Sequence, residues 1–217
     1  MNDEAKRILI KGAHELGFGM SDAELGKFYM LAAELKKWQR KINLTAITED
    51  EEIAVKHFLD SLTIAGLVSG TGDLLDIGSG GGFPAIPIKI MRHQMHVVSV
   101  DAVERKVIFQ RHVARLLGLR HFEALHARAE ELARQFPGGF DWVVSRAFAD
   151  IPTFARLALP LTREQGKVIA MKGRGGREEA ASSRPSLLSL GLEVSEIISL
   201  SLPCSGDKRF LVVMKRL

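Results

Sequence analysis

One cysteine, Cys204, is all that the 217-residue chain contains. No internal disulfide can staple the fold, which suits a reducing, cytoplasmic setting, and no metal site is expected. Long apolar runs are missing too. The N-terminus has no hydrophobic segment of the secretory kind, and nowhere do the ~20 apolar residues of a membrane span accumulate. No internal repeat or low-complexity tract interrupts the chain. What remains is a chain 46% hydrophobic, enough for a sizeable core, with net charge +4 and a pI near 9.3. The charge is uneven. Residues 1–70 hold nine Lys/Arg against eleven Asp/Glu, and residues 71–217 hold 21 against 15. A basic second part points to a polyanion partner, nucleic acid first, or to a merely soluble basic protein.

The most informative stretch is DLLDIGSGGGFPAIP, residues 73–87. Leu74 to Ile77 suit a buried parallel strand. The glycines of the following turn let the backbone approach a ligand with no Cβ in the way. Pro84 fits a helix start, where a missing N–H costs nothing. The G-x-G-x-x-G spacing of dinucleotide folds fails, because Phe83 stands where the third glycine belongs. The spacing present is Asp76-x-Gly78-x-Gly80-x-Gly82, which resembles the S-adenosylmethionine (SAM) loop of Rossmann-like methyltransferases. A carboxylate beside the loop is compatible with a cationic sulfonium.

Three helices are expected first, over about 4–17, 22–40 and 48–68. Ser21 and Glu24 form a capping-box signal for the second. His57 and Asp60 lie one turn apart on the third and read as a surface hydrogen bond before they read as a site. Residues 69–72 look like a join, so the expected division is 1–70, helical, and 71–217, sheet-bearing. From 73 onward strands and helices alternate. Strands are expected near 74–77, 97–101, 122–127, 142–145, 168–171, 192–200 and 209–215, and helices over 103–117, 130–136, 152–162 and 178–190. That order predicts a doubly wound, seven-stranded, mostly parallel sheet with right-handed crossovers and a terminal antiparallel hairpin, the class I SAM-methyltransferase plan.

Ligands sit beyond the carboxyl ends of such strands. Asp101, about twenty residues past the loop, is placed to accept from ribose hydroxyls, with Ala102 near an adenine. Ala129 and Glu130 follow strand three, where an adenine edge would lie; Glu130 reads equally well as a first-turn acid favoured by the helix dipole. Arg146 ends strand four and offers a planar fork of donors to a SAM carboxylate, an RNA phosphate or an acceptor base. Lys172 ends strand five, beside a Gly/Arg-rich loop suited to a phosphate backbone. The Asn/Asp-Pro-Pro-Tyr/Phe motif of exocyclic-amine methylation is missing, and Cys204 lies far along the chain from strand four. Arg105, Lys106, Arg111 and Arg115 on helix 103–117 read as a solvated basic face, with phosphate contact as the lesser alternative.

Asn43-Leu44-Thr45, His57-Phe58-Leu59-Asp60-Ser61, the glycine loop, VVSVDAVERK, RAEEL, VVSRAFA, Met171-Lys172-Gly173 and RFLVVMKR together resemble the RsmG (GidB) family of bacterial small-subunit rRNA methyltransferases. Many members carry a proline in the loop where this chain has Gly81, a difference of loop stiffness more than of ligand. The resemblance implies methyl transfer from SAM to N7 of guanosine 527, in the 530 loop of 16S rRNA, with 16S rRNA or the small subunit as partner; a monomer is the separate expectation for the chain. The loop and strand-end readings place SAM on Asp76, Gly78, Gly80, Gly82, Phe83, Asp101, Ala102, Ala129, Glu130 and Arg146, and geometry and charge make Arg146 and Lys172 the catalytic candidates. A methyltransferase of a small metabolite and a non-catalytic RNA-binding module are the alternatives.

Overall fold

The computed structural model describes residues 1–217 except 69, 138, 147 and 148, and except the side chain at position 130. Helix α1 (Asp3–Glu15) starts at Asn2, whose side chain accepts from the Ala5 amide. Helix α2 (Asp22–Ile42) opens with the expected reciprocal capping box between Ser21 and Glu24. It stops at Asn43, which takes a left-handed conformation (φ 50°), one that asparagine tolerates better than most residues. The third helical segment differs from expectation. It is shorter, and it consists of α3 (Asp50–Glu52), a π-wound stretch Ile53–Leu59, and α4 (Asp60–Leu62), followed by turns. Apolar spacing reports which face is buried and is blind to one extra residue in the winding.

The strands are β1 (Asp73–Ile77), β2 (His96–Asp101), β3 (Phe122–His126), β4 (Phe140–Arg146), β5 (Thr162–Lys172), β6 (Leu192–Ser201) and β7 (Lys208–Arg216). They form one sheet in the order β3-β2-β1-β4-β5-β7-β6. All neighbours are parallel up to β5; β7 joins β5 antiparallel and pairs with β6 as the closing hairpin. This is the predicted doubly wound sheet. Strand β5 begins six residues earlier than its apolar core Val168–Met171, because Thr162 pairs with Phe140 across a register shift.

Helices α5 (Ala85–Met91), α6 (Glu104–Leu116), α7 (Ile151–Ala158) and α8 (Gly176–Ser189) cover the two faces, with short 3-10 turns at Ala129–Arg134 and Leu159–Leu161. On one face, α5 and α6 share a single apolar core with residues of α1, α2 and the π segment, from Leu9, Phe28 and Phe58 to Ile88, Phe109 and Leu211. On the other, α7 and α8 pack over Leu75, Val98, Val143 and Val212. Helices alone precede β1, and the core on the first of these faces draws on residues from both before and after it. Lys89, inside the apolar run of α5, is buried; its ammonium donates to the carbonyls of His93 (2.8 Å) and Met95, and burial pushes its pKa down to about 8.

Candidate active site

Strand order reverses at β1, the place where open α/β sheets bind ligands. Two cavities lie at the strand ends there. The first, about 280 Å³, is lined by Ile77, Gly78, Asp101, Ala102, Arg128 and Ala129 among others. Four of the residues named from sequence therefore meet around one space. Gly78, Gly80 and Gly82 all have positive φ (73°, 60° and 87°), which L side chains avoid. A Cβ on Gly80 would meet nothing within 4 Å, so open space fronts the loop there, whereas one on Gly82 would come within 2.3 Å of Ile86 Cδ1. Gly82 is required by packing against α5, and Gly80 by the backbone turn.

Two side chains hold this loop. Asp101 Oδ2 accepts from the Gly80 amide and Oδ1 from the Val103 amide, each at 2.8 Å, so one carboxylate ties the loop to the start of α6. Each oxygen keeps capacity for a further donor. Beneath lies Gln110 of α6, fully buried. Its Nε2 donates to Ser79 Oγ and to the Gly80 carbonyl (both 2.8 Å), and its Oε1 accepts from Ser99 Oγ (2.6 Å). Sequence reading passed over Gln110. The signal was present: it is the polar member of the stripe Val107, Gln110, Val113.

Asp76 is completely buried at the end of β1. Its Oδ2 accepts from the Ala85 amide at 3.1 Å, and its Oδ1 has no partner. Burial lifts its pKa to about 7, against the lowering effects of the Ala85 bond and Arg146. An orphaned carboxylate oxygen costs free energy and is the natural partner of a cationic group. The chemistry of the loop, with one unmatched acid, a second acid with spare acceptor capacity and free space before Gly80, fits a SAM-like molecule.

The second cavity, about 400 Å³, lies at the ends of β4 and β5 and is lined by Ile47, Lys56, His57, Asp60, Arg146, Met171, Gly173 and Arg209. Arg146 is its centre. One terminal nitrogen donates to the Lys56 carbonyl (2.8 Å) and to Asp60 Oδ2 (3.3 Å), and the other reaches His57 Nδ1 (3.3 Å). Asp60 Oδ1 accepts from Arg209 Nε at 2.8 Å, so one carboxylate holds two guanidinium groups. A guanidinium only donates, so His57 Nδ1 accepts and Nε2 carries the proton toward Thr45 Oγ1, 2.8 Å away. Burial, then the Arg146 charge, lower the His57 pKa to about 3. The neutral imidazole stacks on Phe83 at 4.4 Å and 7°, and Arg146 lies 5.5 Å from the same ring.

The model of the GidB family, rRNA small subunit methyltransferase G, matches residues 24–209. The chain belongs to this family. It is 62% identical over 216 residues to the ribosomal RNA small subunit methyltransferase G of Geotalea uraniireducens, covering 100% of this chain and 99% of that one. It is 59% identical to that of Geobacter metallireducens, covering 100% and 98%. Among solved structures it is similar to the B. subtilis M1A22 tRNA methyltransferase TrmK (TM-score 0.60, 13% identity, 75% of this chain and 68% of that one). M. jannaschii TYW2 in complex with AdoMet is similar as well (TM-score 0.58, 10% identity, 73% and 75%). Likeness at these identities is one of fold, the class I methyltransferase sheet.

Four of the stretches that carried the GidB resemblance meet in one cluster: Thr45, His57 with Asp60, Arg146 and Arg209. The reading of His57 and Asp60 as a surface hydrogen bond is corrected; both are about 6% exposed and bind Arg146. Phe83, expected against the cofactor, turns its ring to His57 and Arg146. At Gly81, where many members carry proline, a Cβ would lie 3.1 Å from that ring. Lys172 does not line either cavity: its ammonium donates to the Ala149 carbonyl (2.6 Å) and Glu179 (2.8 Å), fastening the first turns of α8. The Glu130 carboxylate, and Ala147 and Phe148 of the SRAF stretch, lie outside the described residues.

Proposed function

We propose that this chain transfers a methyl group from SAM to N7 of guanosine 527 in the 530 loop of 16S rRNA. Family membership supports a small-subunit rRNA methyltransferase. The observation that carries the choice of N7 is the lack of a free base among the described residues that line the Arg146 cavity. Asp60 is engaged by two arginines, and His57 is neutral with both nitrogens engaged. An exocyclic amine has protons to lose and calls for an acceptor. Guanine N7 has an in-plane lone pair and no proton, so such a cavity suffices.

SAM supplies an electrophilic methyl on a sulfonium that departs as a neutral thioether. Asp76, with its unmatched oxygen, would hold the cationic end of the donor; Asp101 would take ribose hydroxyls, and Ala102 and Ala129 would flank the adenine. Arg146 keeps Nε without a partner among the described residues, and would orient an acceptor oxygen, base O6 or phosphate. Its charge is partly balanced by Asp60, which matters because the methylated base is itself cationic. Lys172 enters as the residue that fixes α8 at the rim. Catalysis is then alignment, which can supply about 7–11 kcal/mol.

The test is transfer of labelled methyl from SAM to small subunits, with the label mapped by alkaline reduction and aniline cleavage. Cleavage at the single guanosine is expected. Label in protein or a small molecule, label on RNA that resists this cleavage, or no transfer would overturn the reading. The loop is better tested through Asp76 than Gly80, since any side chain at φ 60° is strained.

A further inference from the structure

At the far end of β3 from the first cavity lies a third, about 450 Å³, which neither the methyl donor nor the acceptor cavity uses. Its lining includes Arg111, Arg115 and Arg120 over Ala114, Leu119 and Phe122. We propose that it grips the phosphate backbone of an rRNA segment remote from the methylated base. This rests on the reading of the chain as an rRNA methyltransferase.

Charge is the first argument. Between Glu104 and Glu123 the chain has five Lys/Arg and no Asp/Glu. Among the described residues no carboxylate lies within ion-pair distance of the three arginines, and Arg111 alone has a partner, the Ala124 carbonyl (2.8 Å). Glu123, the nearest acid in sequence, is turned to His96 at 3.2 Å. Helix α1 is the contrast: Lys6, Arg7 and Lys11 each face an acid one turn away.

The bland explanation is that arginines near a helix C-terminus offset the dipole. The backbone already closes that end. Gly118 (φ 61°) donates to the Arg115 carbonyl at 3.2 Å, and the Leu119 amide to the Ala114 carbonyl at 2.9 Å, the Schellman arrangement. Of the three exposed arginines around one hollow, Arg115 and Arg120 thus have whole forks free for oxyanions and Arg111 its two terminal nitrogens, and guanidinium matches phosphate in pairs of bonds. The apolar floor suits a ribose. Along β3 and across to β4 the separation from Arg146 is roughly 20 Å, taking ~3.3 Å per residue and ~4.8 Å per strand. The occupant is therefore another part of the folded RNA, not the nucleotides beside the acceptor.

The experiment measures 16S rRNA binding by the full chain against NaCl concentration. R115Q/R120Q leaves Arg111 and its carbonyl bond in place, and R120Q alone serves should the double variant melt early by circular dichroism. The expected result is affinity weakened on the order of tenfold at 150 mM salt, with the slope of log K against log salt flatter by about 1.5–2 for two lost phosphate contacts. R7Q/K11Q removes the same charge from the paired α1 surface and should leave the slope unchanged. Wild-type affinity and slope in R115Q/R120Q and R120Q, an equal loss in R7Q/K11Q, or a wild-type chain that binds no RNA would each overturn the proposal. Methyl transfer by the wild type is scored separately: transfer without any change of binding in the variants rejects this site and leaves the proposed reaction standing.

Discussion

The two halves of the cleft are built by opposite means. On the β1–β3 side the bonds are short in sequence: Asp76 to Ala85 spans 9 residues, Gly80 to Asp101 21 and Gln110 to Gly80 30. The contacts are mostly to backbone, and the result is a rigid turn with one deliberately unmatched acid. On the β4–β7 side Asp60 and Arg146 are 86 residues apart and Asp60 and Arg209 149. Charged side chains do the holding, and the helical N-terminal part supplies the carboxylate that the two arginines share. A donor whose shape never changes can be met by a local motif. An acceptor that is part of a large rRNA needs a surface assembled from the whole chain.

Breaking the long-range half should cost most. Asp60→Ala would leave two largely buried guanidinium groups without their carboxylate, and such losses run to about 3–5 kcal/mol; urea unfolding should show it, with methyl transfer lost. Wild-type stability in that variant would mean the cluster is decoration. On the local half, Asp76→Asn should weaken SAM about 10- to 100-fold, the loss of a charge-assisted contact, measured by calorimetry.

The same site makes a pH prediction. The folded pKa of Asp76, about 7, lies above the ordinary 3.8, so the folded chain without ligand binds this proton more tightly than the unfolded chain does. Asp76 therefore contributes stability at low pH that is lost as pH rises toward and through 7. Above pH 7, Asp76→Asn should melt higher than wild type without SAM, while wild-type affinity for SAM rises over the same range as the carboxylate ionises. A flat affinity profile from pH 5 to 8 would separate Asp76 from the donor.

Gln110→Leu removes the support under Gly80 and should cost about 1–2 kcal/mol, with a several-fold weaker SAM Kd. Smallest is His57→Gln, expected to lower kcat roughly tenfold with SAM affinity kept, since the side chain positions Arg146 and touches no ligand in this account. With its pKa near 3, His57 stays neutral from pH 5 to 8 and should give kcat no inflection there. Below 6.5 the unfolded chain gains a proton that the folded one refuses, so this residue's contribution to stability falls away as pH drops toward 3.

Legibility followed the same line. The alternation of strands and helices, the closing hairpin and the gathering of Gly78, Asp101, Ala102 and Ala129 about one cavity were readable because alternation and spacing are local signals. The role of Asp60 was not. A carboxylate on a helix looks alike whether its neighbour is water or two arginines brought from strands far along the chain. Gln110 and Lys89 stood in apolar patterns where a polar residue signals a buried bond, yet the partner is named only by the fold. Lys172 ends β5 as expected and still points to Glu179, because strand-end position fixes a backbone, not the direction of a long side chain.

The wide turn at Ile53–Leu59 has one more consequence. An extra residue wound into a helix shifts its amide register, and here the Lys56 carbonyl faces Arg146 while His57 and Asp60 point the same way. Deleting a single residue from this stretch would restore ordinary winding and remove the wide turn that presents the Lys56 carbonyl and the His57 ring to Arg146. Of its seven side chains only that of Lys56 is not buried, so the segment should accept exchange there and no change of length.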